Sequence, residues 1–321
     1  MKGTYIFYED GKEIYREDNV ITKFGKRFLT NYLAGTVQFN NKDIAIGIMG
    51  ESDYAAADTN SRLGFEFYRL PVGFGTFDIQ ESNGSYIYNV VYKTTLPQDI
   101  AGVISEIGLY PGTRTSLNNF DSKMIADFEE NLYWNYSDNT HPSLSTAVDP
   151  KIGNYVLKLE FEPGNTLYAT KEITRVLSMD ISGYSGNDTL ALALNRADSN
   201  SEKIKVKFYS SMNDYYYGTF NLSGSGDIIQ EINMSDVFSH QEGSPNPSII
   251  NQIGIELTRS SEGDASLVYL DGLRINDEDT FDPAFGLVSR STLSTPITKY
   301  AGRRMDIEYK LDLGFTTWYG I

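Results

Sequence analysis

Short apolar or alternating runs, each closed by Gly, Asn, Asp or Ser, recur from Met124 to Ile275 and restrict this stretch to a β-rich architecture. The runs are MIADFE, YVLKLEF, ITRVLSMDIS, LALALN, KIKVKFYS, YYYGTFNL, GDIIQEI, IINQIGIEL and SLVYLDGLRI. None is long enough or carries the right period to be a helix. Many short strands with turn residues between them predict a β-sandwich or jelly roll of about 150 residues, an ordinary domain size.

The flanks carry a second pattern. TYIFYED and KEIY, split by Asp10-Gly11, predict a hairpin. NVITKFGKRFLTNYLAG carries apolar residues at Val20, Phe24 and Phe28 and at Ile21, Leu29, Tyr32 and Leu33, close to helical period. Asn19 is the expected N-cap and Gly35 the expected stop, with Gly25 weakening the helix between them. Strands are expected at KDIAIGIMG, FEFYRLPV, SYIYNVVYKTTLP, AGVISEIGLYPG and MDIEYKLDL, with Asn83-Gly84 as a turn and Glu51–Gly64 as a polar loop. Two polar runs, TRTSLNNFDSK (113–123) and NDEDTFDP (276–283), have linker composition. The expected architecture is therefore mainly β. A small discontinuous β-domain with one N-terminal helix, residues 1–115 and 281–321, carries an inserted β-sandwich jelly roll at 116–280.

Composition removes several classes of function. Of 321 residues, 40% are hydrophobic and 13% aromatic, with 23 Tyr and 17 Phe against 2 Trp, which supports an ordered, strand-rich core. Formal net charge is −16, a field that opposes phosphate backbones; nucleic acid is not an expected partner. Without cysteine there are no disulfides, thiolate nucleophiles or Cys-held zinc, and His141 and His240 alone make a His-based catalytic zinc improbable. No apolar run approaches the roughly 20 residues that span a bilayer, so no membrane insertion is expected. MKGTYIFYEDGKEIY has acids and tyrosines where a secretory signal has an apolar segment, so synthesis and release in a cytosol-like compartment are expected.

No catalytic motif emerges, and the protein is not expected to be an enzyme. Glu129–Glu130 and Asp277–Glu278–Asp279 are adjacent acids whose side chains face opposite ways in a strand, unlike the paired carboxylates of a glycosidase. His141 and His240 lie in Pro-containing polar loops, no serine sits in GxSxG, and SGSGD (Ser223–Asp227) precedes no helix.

Two resemblances add to this. Residues 20–112 and 284–315 resemble a β-domain family of tailed-bacteriophage virion proteins, especially tail and baseplate components. The matching pieces are NVITKFG, IAIG, FYRLPV, ISEIGLY, FGLVSRSTLSTPITKYAG and DIEYKLDLGF. In that family the EIGLY and LVSRS segments are close in sequence; here the whole 116–280 stretch separates them. The resemblance implies a virion structural protein assembled in the host cytoplasm, with copies of itself and other virion proteins as partners. A head-fibre, collar or decoration protein is the alternative, and a surface-polysaccharide depolymerase a further one.

The insert resembles carbohydrate-binding modules and their galactose-binding-like relatives, on DFEENLYW (Asp127–Trp134), GNYVLKLEF (Gly153–Phe161) and VYLDGLRI. That implies a host-surface polysaccharide as ligand. No cofactor is required, but the resemblance implies a structural Ca²⁺ held by Glu129 and Asp271 with backbone carbonyls near Gly153; both acids could equally face solvent or cap turns. A sugar site needs aromatic platforms, because the apolar pyranose face stacks on a ring. Tyr133, Trp134 and Tyr136 form one cluster and Tyr215 with Tyr217 another, Tyr216 pointing away from its neighbours. Either cluster could instead be packing.

Overall fold

The computed structural model describes residues 2–36, 42–49, 55–73, 75–82, 85–111, 123–161, 169–184, 186–259, 266–276 and 286–317. Its contacts divide the chain into two compact units, Met1–Thr115 with Thr280–Ile321, and Ser116–Asp279. The two linker runs, apart from Lys123 and Asn276, and the Asn83-Gly84 turn lie outside the described residues.

In chain order the first unit supplies β1 (Lys2–Glu9), β2 (Lys12–Asp18), β3 (Val20–Ile21), α1 (Lys23–Leu33), β4 (Lys42–Ile48), β5 (Phe65–Val72), β6 (Thr76–Ser82), β7 (Ser85–Leu96) and β8 (Gly102–Tyr110). The second supplies β9 (Lys123–Ala126), β10 (Asn135–Tyr136), β11 (Ser143–Ser145), β12 (Val156–Phe161), β13 (Thr170–Met179), β14 (Thr189–Arg196) and β15 (Ser201–Ser211). It continues with β16 (Asp214–Asn221), β17 (Gly226–Asn233), α2 (Met234–Ser239), β18 (Gln241–Glu242), β19 (Ile250–Arg259) and β20 (Ser266–Asn276). The chain then returns to the first unit as β21 (Ser289–Lys299) and β22 (Met305–Thr317). The protein is mainly β, and among the described residues no helix is long and apolar enough to cross a membrane.

The first unit has two five-stranded antiparallel sheets, ordered β2-β1-β22-β7-β6 and β3-β21-β8-β4-β5. Alternation puts Tyr5, Phe7, Ile307 and Tyr309 on one inner face and Ile44, Ile46, Ile107 and Leu109 on the other, with Phe28 and Leu29 of α1 in the same cluster. Asp10 and Gly11 both take positive φ, as the β1–β2 hairpin turn requires. The helix is shorter than its apolar period predicts. Its N-cap is Thr22, not Asn19; Thr22 Oγ1 accepts from the Gly25 amide at 2.9 Å and donates to the Leu287 carbonyl. Val20 and Ile21 are apolar because they form β3, which pairs with β21. Asn19 instead holds the sheet, its amide donating to Gly3 O and its Nδ2 to the Tyr309 hydroxyl. Gly35 ends the helix with φ 73°, as expected.

The second unit is a jelly-roll β-sandwich. One sheet runs β10-β13-β19-β15-β16-β18; the other runs β11-β12-β20-β14-β17, with β9 also on β20. Ile204, Val206, Phe208, Ile253, Ile255 and Leu257 from the first meet Leu157, Leu159, Leu190, Leu192, Leu270 and Leu273 from the second. Sequence patterning misses α2, six residues long, and the strand character of β6.

Candidate functional site

Period-two alternation that buries one face of β15, β16 and β19 fixes what the other face shows. On β15, Ile204, Val206 and Phe208 are fully buried, so Lys205, Lys207 and Tyr209 face outward. On β16, Tyr216 and Phe220 are buried and Tyr215 and Tyr217 face outward. On β19 the outward residues between the buried isoleucines and leucine are Gly254 and Glu256. Register joins them: Tyr209 opposes Tyr215, Lys207 lies between Tyr217 and Gly254, and Glu256 opposes Glu172 of β13. At the far edge the Tyr217 amide donates to the His240 carbonyl at 3.0 Å.

These residues form one polar and aromatic surface. Lys207 Nζ donates to Glu172 Oε2 at 2.9 Å and to Glu256 Oε2 at 2.8 Å, and the Tyr209 hydroxyl donates to Glu172 Oε1 at 2.7 Å. Burial alone would pull the Lys207 amine down, but its bonds to Glu256 and Glu172 outweigh that and hold its pKa above the ordinary lysine value. Burial, and then the Glu172 carboxylate, push the Tyr209 hydroxyl up. Gly254 makes the arrangement possible. A Cβ there would overlap Glu172 Oε1 and stand 2.9 Å from the Tyr209 ring, so the bare backbone is what lets Glu172 lie across the sheet.

The rings follow one another across this surface. Centroids of Tyr209 and Tyr215 are 4.8 Å apart, those of Tyr215 and Tyr217 6.1 Å, and those of Tyr217 and His240 5.4 Å. Lys205 Nζ stands 4.6 Å from the Tyr217 ring centre and 3.8 Å from Glu256 Oε1. Tyr215 and Tyr217 are thus brought together as expected, half-exposed, with Tyr216 in the core. Sequence reasoning missed Glu172, Lys207, Tyr209, Gly254, Glu256 and His240. Alternation in KIKVKFYS signals Lys205, Lys207 and Tyr209; nothing local signals the cross-strand acids.

The other aromatic cluster is corrected. Trp134 is wholly buried, its ring 5.3 Å from that of Phe128, because it fills the sandwich core. Tyr136 pairs with Ile173, points inward with it, and donates its hydroxyl to Lys158 O. Only Tyr133 is exposed, at 58%, with the Arg175 guanidinium 5.5 Å from its ring. β10 and β16 are separated in the sheet by β13, β19 and β15, so the two clusters do not form one site.

Glu129 and Asp271 meet at one segment. Glu129 accepts the amides of Asn154 and Tyr155, and Asp271 those of Lys151 and Ile152, at 2.8–3.2 Å. Gly153, with φ 71°, lies under the Glu129 carboxyl, which a Cβ would strike. Burial, and behind it the negative charges of Asp227 and Glu129, push Asp271 up to about 7 against the opposing pull of its two N–H donors. Burial likewise raises Glu129. Lys151 Nζ pairs with Asp227 at 3.1 Å. Two carboxyl groups on one turn, each holding two main-chain amides, offer a hard cation donors of the right kind, but they are only part of the six to eight oxygens that Ca²⁺ takes. Among the described residues, no three His, Cys, Asp or Glu gather as a metal site.

No protein-family model matches this chain, and neither does any curated protein. Solved structures resemble it over about half its length. A family 11 carbohydrate-binding module from Clostridium thermocellum, solved with a beta-1,3-1,4-mixed-linked tetrasaccharide, is 15% identical with a TM-score of 0.35, over 50% of this chain and 97% of that one. The family 30 module of a Clostridium thermocellum cellulosomal cellulase is 14% identical with a TM-score of 0.36, over 49% and 98%. The glycoside hydrolase domain of Endo-D from Streptococcus pneumoniae is 12% identical with a TM-score of 0.33, over 46% of this chain; the match spans only 22% of that domain. At these identities and TM-scores, none of them decides what this chain binds.

Proposed function

We propose that the Ser116–Asp279 unit binds a glycan on the outer face of its β13–β19–β15–β16 sheet. The observation that carries this is the row of half-exposed rings, Tyr209, Tyr215 and Tyr217, set beside the Lys207–Glu172–Glu256 network. Rings take the apolar faces of sugars, and fixed polar groups take their hydroxyls. Isothermal titration against microbial surface polysaccharides tests it: Tyr215→Ala with Tyr217→Ala should abolish binding while leaving the melting temperature near that of the parent. A double variant that still binds sinks the site.

On this face a depolymerase would have Glu172 and Glu256 to use as acid and base or nucleophile. Lys207 stands between them and bonds both, so each carboxylate already has an ammonium partner and neither is left as a free acid, base or nucleophile. Binding is the better reading, and a reducing-sugar assay on host capsule should show no release.

The remaining unit is proposed to dock into a bacteriophage virion, of tail or baseplate type. Its support is the family resemblance together with pairing of the two segments that the insertion separates: β8 holds EIGLY, β21 holds SRS, and Leu109 opposes Ser289. Repeated copies would turn weak sugar contacts into firm attachment. Mass spectrometry of purified phage particles tests this, and absence of the chain from them ends the virion reading. Density in the intact particle would separate tail from head-fibre, collar or decoration. Structural Ca²⁺ remains part of the proposal, with Glu129 and Asp271 as ligands and main-chain carbonyls near Gly153 completing the shell.

A further inference from the structure

We infer that β6 is a dimerisation edge: two copies of this chain join β6 to β6, antiparallel, about a two-fold axis at Ile79, so that two five-stranded sheets become one of ten. The inference rests on neither the glycan nor the virion reading and fails separately from both.

An edge strand presents a row of unpaired N–H and C=O groups, and monomeric proteins blunt such edges with charge, proline or brevity. Among the described residues, the other three sheet edges of the first unit are blunted in these ways. β2 carries Lys12, Glu13, Arg16, Glu17 and Asp18 within its seven residues. β5 carries Pro71, and β3 is two residues long. β6, TFDIQES, ends its sheet with none of these devices. Its charged residues are Asp78 and Glu81, and Asp78 is already matched by Lys310, whose Nζ donates to Oδ2 at 2.9 Å.

The strand is also apolar on one face. Phe77 opposes Val90 and Ile79 opposes Tyr88, while Val90 opposes the core residue Leu311. Phe77 and Ile79 therefore continue the inner face of the sheet. That face runs on past its own core, because Phe77 is 75% exposed and Ile79 57%.

The sequence of β6 fits its own reverse, and this names a second copy as the occupant. With the axis at Ile79, Ile79 meets Ile79, Phe77 meets Glu81, and Asp78 meets Gln80, so no like charges oppose one another. Within one strand Gln80 Nε2 donates to Asp78 Oδ2 at 3.0 Å. Asp78 Oδ1 has no partner among the described contacts and can accept the second amide proton of Gln80 from the other copy. An axis at Asp78 would set Asp78 against Asp78. An axis at Gln80 would set Ile79 against Glu81 and lose both Asp78–Gln80 pairs. Joining a patch to its own image in this way closes a two-fold dimer and leaves neither edge open.

Sedimentation velocity on the full chain tests the inference. The parent should sediment as a dimer at micromolar concentration. Ile79→Lys sets two ammonium groups together on the axis and should weaken association at least about tenfold, with the far-ultraviolet circular dichroism of the parent retained. The chain has no cysteine, so single thiols report the register. Ile79→Cys should crosslink two copies through a short bismaleimide, whereas Phe77→Cys, about 14 Å from its image along the strands, should not. A parent that stays monomeric overturns the inference, whether the edge is left bare or kept for a different protein. So does a dimer that Ile79→Lys leaves intact, or equal crosslinking at the two thiols. Should Ile79→Lys fail to fold, the two thiol variants decide the matter alone.

Discussion

Glu106 and Arg290, 184 residues apart, form an ion pair at the centre of the first unit, with Nη2 2.7 Å from Oε2 and both side chains almost wholly buried. Glu106 Oε1 also accepts the Phe65 amide at 2.9 Å. The pair joins β8, which precedes the insertion, to β21, which follows it. Removing one partner leaves an uncompensated buried charge, so Arg290→Met should lower stability by about 3–5 kcal/mol in urea unfolding. Adding Glu106→Leu should recover part of that, leaving a deficit of about 1–3 kcal/mol because the Phe65 amide loses its acceptor. A single variant as stable as the parent would show the pair to be dispensable.

Gly25→Ala should destabilise, although Ala is favoured over Gly in a helix by up to about 1 kcal/mol. The new Cβ would overlap the Val288 carbonyl oxygen, main chain that cannot swing aside. A rise in melting temperature would contradict the close approach of α1 to that strand entry.

Trp134→Ala and Tyr133→Ala should part company. The first empties a fully buried site and should cost about 3–5 kcal/mol. The second removes an exposed ring and should stay within about 0.5 kcal/mol. Thermal unfolding of both variants checks this.

Gly254→Ala should spare the fold and lose the ligand. Its methyl group would displace the Glu172 carboxyl, a side-chain end free to move, from Lys207 and Tyr209. Glycan affinity should fall at least about tenfold with little change in melting temperature; unchanged affinity would remove the network from the site.

The pH dependence follows from Asp271, whose folded pKa of about 7 lies above the ordinary aspartate value of 3.8. Because the folded state holds the proton more tightly, the stability this group contributes is full below the ordinary aspartate value and is lost as pH rises from there through 7. The slope is at most about 1.4 kcal/mol per pH unit inside that window. If Ca²⁺ binds Glu129 and Asp271, adding it at pH 8 should raise the melting temperature, and a chelator should reverse the gain. No response to either would leave the two acids as caps of the Lys151–Tyr155 turn.

The structure and the sequence agree most closely where a signal is local. Period two in KIKVKFYS, YYYGTFNL and IINQIGIEL is visible in the letters, because each strand must bury one face whatever it pairs with. The same rule placed Tyr215 and Tyr217 together and Tyr216 inside. Residue-type rules failed at Asn19, where a residue suited to capping a helix serves a strand contact, and at Trp134, where a ring that suits a sugar fills the core.

The sequence by itself determined a strand-rich chain with one amphipathic helix, no cysteine chemistry and two tyrosines side by side on β16. Only the tertiary structure decided which strands lie next to one another. That choice brought Glu172, Lys207, Gly254 and Glu256 to those tyrosines, and Arg290 to Glu106. Pairing partners are selected by burial and register across scores of residues, and no residue carries its cross-strand neighbour in its own local pattern.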